Sequence, residues 1–304
     1  MDLGPSFHEA AKAGDVAQLQ RLVALGVDVD VRNGAGQTAL YLAAYEGKAA
    51  AIQALVQLRA NKEAASVEGA TPLHAAAGRG HVEAIKTLVQ LGVNTEPRDI
   101  DEGTPLHLAA DKGHVEAIRV LVRLGVNKEA TNAAGMTPLH QATAEGQVEA
   151  VRALASLGAN KEAKGPNGMT PLHMAAYKGN LEAIRALVQL GAQLNAQADR
   201  GETPLQVSIR RGQHQAERML RELLRTRNAA DPHARDDTEA TASTSQTSAC
   251  AACGNTSVTS GAELKLKKCA RCRSVKYCSV ACQRAHWPVH KRCCAAAPEG
   301  PSAN

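Results

Sequence analysis

Residues 71–103 read TPLHAAAGRGHVEAIKTLVQLGVNTEPRDIDEG. Thr71 is suited to cap a helix, and Pro72 stands in its first turn, where the missing N–H costs nothing. Gly80 permits a tight break. Val82, Ile85, Leu88 and Val89 then recur at helical spacing on one face of a second helix. Gly92 is placed to take the left-handed conformation that ends it. The stretch predicts two short helices followed by a polar loop, a unit that cannot bury its apolar face alone.

The unit repeats. Thr-Pro-Leu-His stands at Thr71–His74, Thr104–His107, Thr137–His140 and Thr170–His173, with degenerate copies at Thr38–Tyr41 and Thr203–Gln206. Successive threonines are 33 residues apart, and a worn copy, Pro5–His8, lies one period upstream. A glycine follows in register each time: Gly14, Gly47, Gly80, Gly113, Gly146, Gly179 and Gly212. Polar runs such as Asn127-Lys128-Glu129 lead into the next hairpin-like loop. A constant period of this length is the signature of a solenoid, in which stacked units share one continuous core.

The period and motif resemble the ankyrin repeat over about residues 5–227. The resemblance implies a mostly α fold, an α-solenoid of about seven units including caps over residues 1–227. Residues 1–30 are expected to form the N-terminal cap. Met219, Leu220, Leu223 and Leu224, interleaved with Arg218, Arg221, Arg225 and Arg227, are expected to form an amphipathic C-terminal cap. The composition agrees: one Phe, one Trp and four Tyr leave little aromatic bulk, and small residues suit thin helical layers. Two departures stand out. Arg59 replaces the helix-ending glycine, so its turn is either strained or differently shaped. In Asp101-Glu102-Gly103 the loop glycine has moved one place, so that loop is expected to protrude differently.

His74, His107, His140 and His173 come one per layer, roughly 10 Å apart in a solenoid of this kind, too far to share a metal. They are expected to hydrogen-bond loop backbone, as are His81 and His114. In ankyrin arrays partners meet the loop tips and the inner helix face. By register that face shows Tyr45, Glu46, Arg79, Asp111, Lys112, Glu145, Tyr177, Lys178, Arg210 and Arg211, and the tips carry Ile100, Met136 and Met169. Tyr45 and Tyr177 are the adhesive candidates.

Residues 228–249, NAADPHARDDTEATASTSQTSA, lack apolar periodicity and read as a flexible linker, spanning roughly 25 Å as a coil. Beyond it, residues 250–294 carry all eight cysteines. Ligand-type residues fall in pairs: Cys250 and Cys253, Cys269 and Cys272, Cys278 and Cys282, His290 and Cys294. Four pairs of soft or borderline ligands predict two zinc ions. Spacing alone does not say which pairs share an ion, and His286 and Cys293 lie close enough to compete. A disulfide framework would not confine its cysteines to one short segment, which points to a reducing compartment, cytoplasmic and/or nuclear.

This block resembles the MYND zinc finger, except that the stretch 254–268 is longer than is usual, predicting a loop there. The resemblance implies a small cross-braced fold, a short hairpin plus helix, with interleaved ligands: Cys250, Cys253, Cys278 and Cys282 on one zinc, and Cys269, Cys272, His290 and Cys294 on the other. It also implies a groove for a proline-containing peptide lined by Gln283 and Trp287. With Leu264, Leu266, Val275, Val280 and Trp287 as its main apolar content, so small a segment requires metal to fold. The sites would be structural, fully coordinated by protein. Residues 295–304 are expected to be a disordered tail.

Charge separates the halves. Residues 250–294 hold nine Lys or Arg against one acid, Glu263, whereas residues 1–249 carry 26 basic and 28 acidic residues. The basic finger raises an alternative, a nucleic-acid-associated transcriptional regulator. Seven zinc-bound thiolates offset much of that charge, and only Tyr277 and Trp287 could stack on bases, which favours peptide. No signal peptide is read in Met1–Asp15, and no run approaches the roughly 18 apolar residues of a membrane span. Some MYND proteins are lysine methyltransferases, but through a SET domain for which the repeats leave no room. No phosphate loop, nucleophile elbow or pair of catalytic acids is visible. The expected function is a monomeric, non-enzymatic adaptor or scaffold, the array holding one protein and the finger another.

Overall fold

The computed structural model describes residues 3–230 and, in the finger, Lys267–Lys268 and Lys276–Tyr277. The chain divides into two units, Met1–Ala234 and Arg235–Asn304. The first unit is a stack of helix pairs: α1 (Gly4–Ala13) with α2 (Val16–Ala24), α3 (Ala39–Tyr45) with α4 (Ala49–Gln57), α5 (Pro72–Arg79) with α6 (Val82–Gln90), and α7 (Pro105–Asp111) with α8 (Val115–Arg123). It continues with α9 (Pro138–Ala144) and α10 (Val148–Ser156), α11 (Pro171–Lys178) and α12 (Leu181–Gln189), and α13 (Pro204–Arg210) and α14 (His214–Ala230). The first helices of neighbouring pairs pack on one another, and so do the second helices. The final helix runs to Ala230, past residue 227 where the sequence reading ends the array.

The core is thin and built of small side chains. In α5, Ala75, Ala76 and Ala77 are all buried, which lets first helices approach closely. In α6 the buried set is Ala84, Ile85, Thr87 and Leu88, while Val82 and Val89 are only partly covered, so the buried stripe is rotated from the one read off the large residues alone. One apolar cluster runs from Phe7 to Leu220 through every layer.

The breaks between helices are set by glycines in the left-handed conformation. Gly80 sits at φ 74°, and a Cβ there would come within 2.7 Å of the His114 ring of the next layer. Backbone conformation and close approach both demand glycine. His114 in turn bonds the Gly78 carbonyl through Nε2 at 3.0 Å, and His81 bonds the Tyr45 carbonyl in the same way. Gln147, Asn180 and Gln213 do the same job in the later repeats.

The loops lock the register between layers. The main-chain N–H groups of Asn94, Asn127, Asn160 and Gln193 donate to the carboxylates of Glu63, Glu96, Glu129 and Glu162, one repeat earlier, at 2.8–2.9 Å. At the loop tips, Val67, Ile100, Ala133 and Asp199 donate N–H to the carbonyls of Ala35, Glu68, Asp101 and Asn167. The position between Ala133 and Asp199 in this series is Pro166, which has no N–H to give. Its loop folds instead as a 3₁₀ turn, with Asn167 at φ 55°.

Both departures in the sequence take the regular shape. Arg59 adopts φ 70°, the conformation of the glycine it replaces, so the turn is strained rather than reshaped. Glu102 adopts φ 58° at the glycine position, and the loop before Thr104 keeps both tip links, Ile100 to Glu68 and Ala133 to Asp101. It does not protrude differently from its neighbours. The Glu102 carboxylate also meets Arg98 at 3.2 Å.

In the second unit, β1 (Lys267–Lys268) pairs antiparallel with β2 (Lys276–Tyr277), Lys267 opposite Tyr277 and Lys268 opposite Lys276. Only this strand pair of the finger is described, and the rest of its expected hairpin-plus-helix fold lies outside the described residues. The linker and the tail, 295–304, lie outside the described residues, apart from the end of α14.

Candidate binding face and zinc finger

The four repeated histidines are structural in a specific way. His140 is fully buried. Its Nδ1 accepts the Thr137 main-chain N–H at 3.3 Å and lies 2.9 Å from Thr137 Oγ1. An N–H can only donate, so Nδ1 is unprotonated and Nε2 carries the proton, which it gives to the Met169 carbonyl at 3.0 Å. His74, His107 and His173 repeat the arrangement, with Nε2 donating to Gly103, Met136 and Glu202. Each histidine thus completes a capping box in its own layer and pins the loop of the next. Burial lowers the pKa of all four from 6.5, opposed in part by the carbonyl bond and, for His74 and His107, by Asp99. They hydrogen-bond loop backbone as expected, and they are not free for chemistry.

The inner face is formed by the last turns of the first helices. Tyr45, 37% exposed, closes α3 with its ring stacked on Tyr41, centroids 6.5 Å apart. The Arg79 guanidinium lies over the Tyr45 ring at 4.8 Å. Tyr177, half-buried on α11, carries Arg211 over its ring at 4.1 Å. Each arginine stands 34 residues after its tyrosine, one period and one residue on, so the pairing was visible as a spacing but not singled out. Both tyrosines therefore present a guanidinium-capped ring rather than a bare one. Between them the face is internally paired. Asp111 accepts from Gln141 Nε2 at 2.6 Å and meets Lys112 at 2.9 Å. That contact raises the Lys112 pKa.

The tip residues separate. Ile100 is 68% exposed and Val67, one layer earlier, 73% exposed. Met169 is buried, correcting its assignment to an exposed tip, and packs with Met174 and Ala198, with Met136 partly buried against them. Met169, which stands directly before Thr170, packs into the stack, so its hydrophobicity reports core rather than adhesion.

Cys250, Cys253, Cys269, Cys272, Cys278, Cys282, His290 and Cys294, together with Gln283 and Trp287, lie outside the described residues. Among the described residues no cluster of His, Cys, Asp or Glu is arranged to hold a metal. No described helix is long and apolar enough to cross a membrane. The segment joining β1 to β2, 269–275, carries Cys269 and Cys272, and Cys278 directly follows β2. Donors of this chemistry, thiols with one imidazole and no surplus carboxylate, fit Zn²⁺. Bound there, zinc would supply folding free energy.

Comparison with known proteins agrees on both halves. The family model for ankyrin repeats matches three times, at residues 7–99, 92–165 and 157–236, and that for the MYND finger matches residues 250–294. The ankyrin repeat domain of human ASB11 is similar in structure, with 30% identity, a TM-score of 0.62, and 71% of this chain and 96% of that one covered. That of Bcl-3, described as a unique member of the IkappaB protein family, is 29% identical with a TM-score of 0.61, covering 71% of this chain and 97% of its own. No curated protein sequence matches. The repeated layers, their polar register and the paired cysteines have one common account: the chain belongs to the ankyrin-repeat family and carries a zinc-binding MYND finger.

Proposed function

We propose that the protein is a non-enzymatic adaptor whose two units hold different proteins. The observation that carries this is the inner face of the array. Each first helix from α3 to α13 except α9 ends there in a charged or aromatic side chain, Glu145 directly follows the end of α9, and the residues that the stack itself needs are buried elsewhere. The finger is the second arm. Two structural zinc ions fold it, one on Cys250, Cys253, Cys278 and Cys282, the other on Cys269, Cys272, His290 and Cys294. Gln283 and Trp287 line a groove for a proline-containing peptide. A tether between the arms raises the effective concentration of one partner for the other. The protein acts as a monomer in the cytoplasm, the nucleus or both.

Affinity capture with the full chain tests this against two variants, Trp287→Ala and the pair Tyr45→Ala with Arg79→Gln. Each variant should release a different set of proteins. Release of the same set by both, or of none by either, refutes two independent arms. Capture of nucleic acid that falls steeply with salt and survives Trp287→Ala would favour the regulator reading instead.

A further inference from the structure

The Tyr177 end of the inner face differs from the Tyr45 end. A cavity of about 220 Å³ opens there between the last two loops and the ends of α11 and α13. Its floor is apolar, made by the buried side chains Met169 and Ala198. Its walls are cationic. The Arg211 guanidinium lies over the Tyr177 ring at 4.1 Å, and Arg200 rises, exposed, from the loop before Thr203. Arg210 is held by the Glu202 carboxylate, Nε at 2.8 Å and Nη2 at 3.3 Å. Asp199 turns its carboxylate against Gly168. Among the described residues, neither Arg200 nor Arg211 meets a carboxylate. Two uncompensated guanidiniums thus flank a methionine-floored hollow, one of them fixed in orientation by the ring beneath it.

We propose that this hollow is a docking site for an acidic peptide segment of a partner protein: a carboxylate between Arg200 and Arg211, and a neighbouring apolar side chain on Met169 and Ala198. The reading rests on the array being a partner-binding arm and specifies what it selects. Charge complementarity identifies the carboxylate, since a planar guanidinium suits bidentate recognition of that group. A polarisable methionine floor accepts aliphatic side chains of differing shape. The volume lies below the roughly 300–1,000 Å³ of small-molecule pockets, which argues for one or two side chains of a chain passing over the face. The Tyr45 end has the same cation–π pair but a glutamate, Glu46, beside it in sequence, and where Arg200 would stand in the corresponding loop it has a second glutamate, Glu68.

The test is selection of random octapeptides on the full-length protein and on Arg200→Gln with Arg211→Gln. Both residues are exposed, so the fold should persist, checked by an unchanged helical circular dichroism signal. The basic finger attracts acids too, so the deciding comparison is between two proteins with the same finger. The expected result is enrichment of Asp or Glu beside an aliphatic residue on the wild type, lost on the double variant. A selected peptide should bind the double variant about tenfold or more weakly, the equivalent of ~1.4 kcal/mol. It should bind Trp287→Ala as it binds the wild type. Absence of acidic enrichment, equal binding to the double variant, or loss of binding in Trp287→Ala overturns the proposal. Protein capture separates the two levels. If the double variant releases no partner while Tyr45→Ala with Arg79→Gln does, the acidic site falls and the adaptor stands. If no inner-face substitution releases a partner, the adaptor reading falls.

Discussion

Acidification should unfold the array through the four histidines of its interfaces, and the structure fixes the sign and window. In the folded state His74, His107, His140 and His173 are neutral, because Nδ1 accepts a main-chain N–H. A proton added at Nδ1 faces a donor, and the charge it brings is buried. The folded pKa therefore lies below the unfolded value of 6.5 for each. Between the two values the unfolded chain binds more protons than the folded one, so stability falls as pH falls. The contribution is fully present above 6.5 and is lost as the pH drops from there through the depressed folded values. Each histidine adds at most ~1.4 kcal/mol per pH unit, and the four together at most about 5.5 kcal/mol per pH unit. For a marginally stable domain, of order 5–15 kcal/mol, such a loss should be visible as a falling midpoint below pH 6.5. The assay is urea unfolding of the full chain at a series of pH values, followed by helical circular dichroism. A midpoint that stays flat between about pH 7 and pH 5 would refute the assigned tautomer, since an imidazolium tolerated in these sites has no such penalty.

Other substitutions probe single links. His140→Ala should destabilise by ~2–4 kcal/mol, mainly by orphaning the buried Thr137 N–H, and His140→Gln should recover part of this, because Gln206 already accepts the Thr203 N–H at 2.8 Å; equal urea midpoints for the two variants would contradict the box. Gly80→Ala should cost ~2–3 kcal/mol, from positive φ and the displaced His114, and a loss below about 1 kcal/mol would mean that the turn can move. Arg59→Gly should stabilise by ~0.5–1 kcal/mol in the same melts, since Arg59 is exposed and its left-handed backbone is unfavourable. Zinc assay of the full chain should give two ions, and a chelator should abolish peptide binding by the finger while leaving the array's helical signal; one ion, or unchanged binding, contradicts the ligand assignment.

Some of this was legible in the chain and some was not, for identifiable reasons. Thr-Pro-Leu-His at a fixed period dictates helix starts and stacking because capping and proline geometry are local. The loop glycines are also local, yet the consequence of losing one is not. Whether Arg59 and Glu102 would bend the loop or submit to it depends on links to adjacent layers, and those links hold the regular shape at the expense of strain. Met169 misled because a large apolar residue beside a loop reads as exposed until the neighbouring Ala198 and Met174 are placed around it. The Tyr–Arg pairs join residues of different repeats, 34 positions apart, so no local pattern marks them as partners. The candidate ligands of the finger can be named from residue type and spacing, whereas their division between two ions comes from the resemblance, and they lie outside the described residues.

These features bear on where binding energy can come from. A charged face attracts a partner only where its charges are not already neutralised. In the middle of the array Asp111 is satisfied by Gln141 and Lys112, so a partner group there must displace an existing bond and gains little. At the ends, Arg79 and Arg211 are held over tyrosine rings without a carboxylate among the described residues. A guanidinium on a ring keeps its outward N–H donors and has already lost its rotational freedom, so a carboxylate arriving there bears less entropic cost. Specificity of the array should therefore reside in its two ends, with the Tyr177 end, where Arg200 adds a second free guanidinium, the stronger. Substituting Arg211→Lys isolates that argument: the charge remains but the planar guanidinium over the ring is lost, and binding of an acidic peptide should weaken severalfold rather than vanish. Full retention by lysine would show that charge alone, and not the preset guanidinium, governs the site.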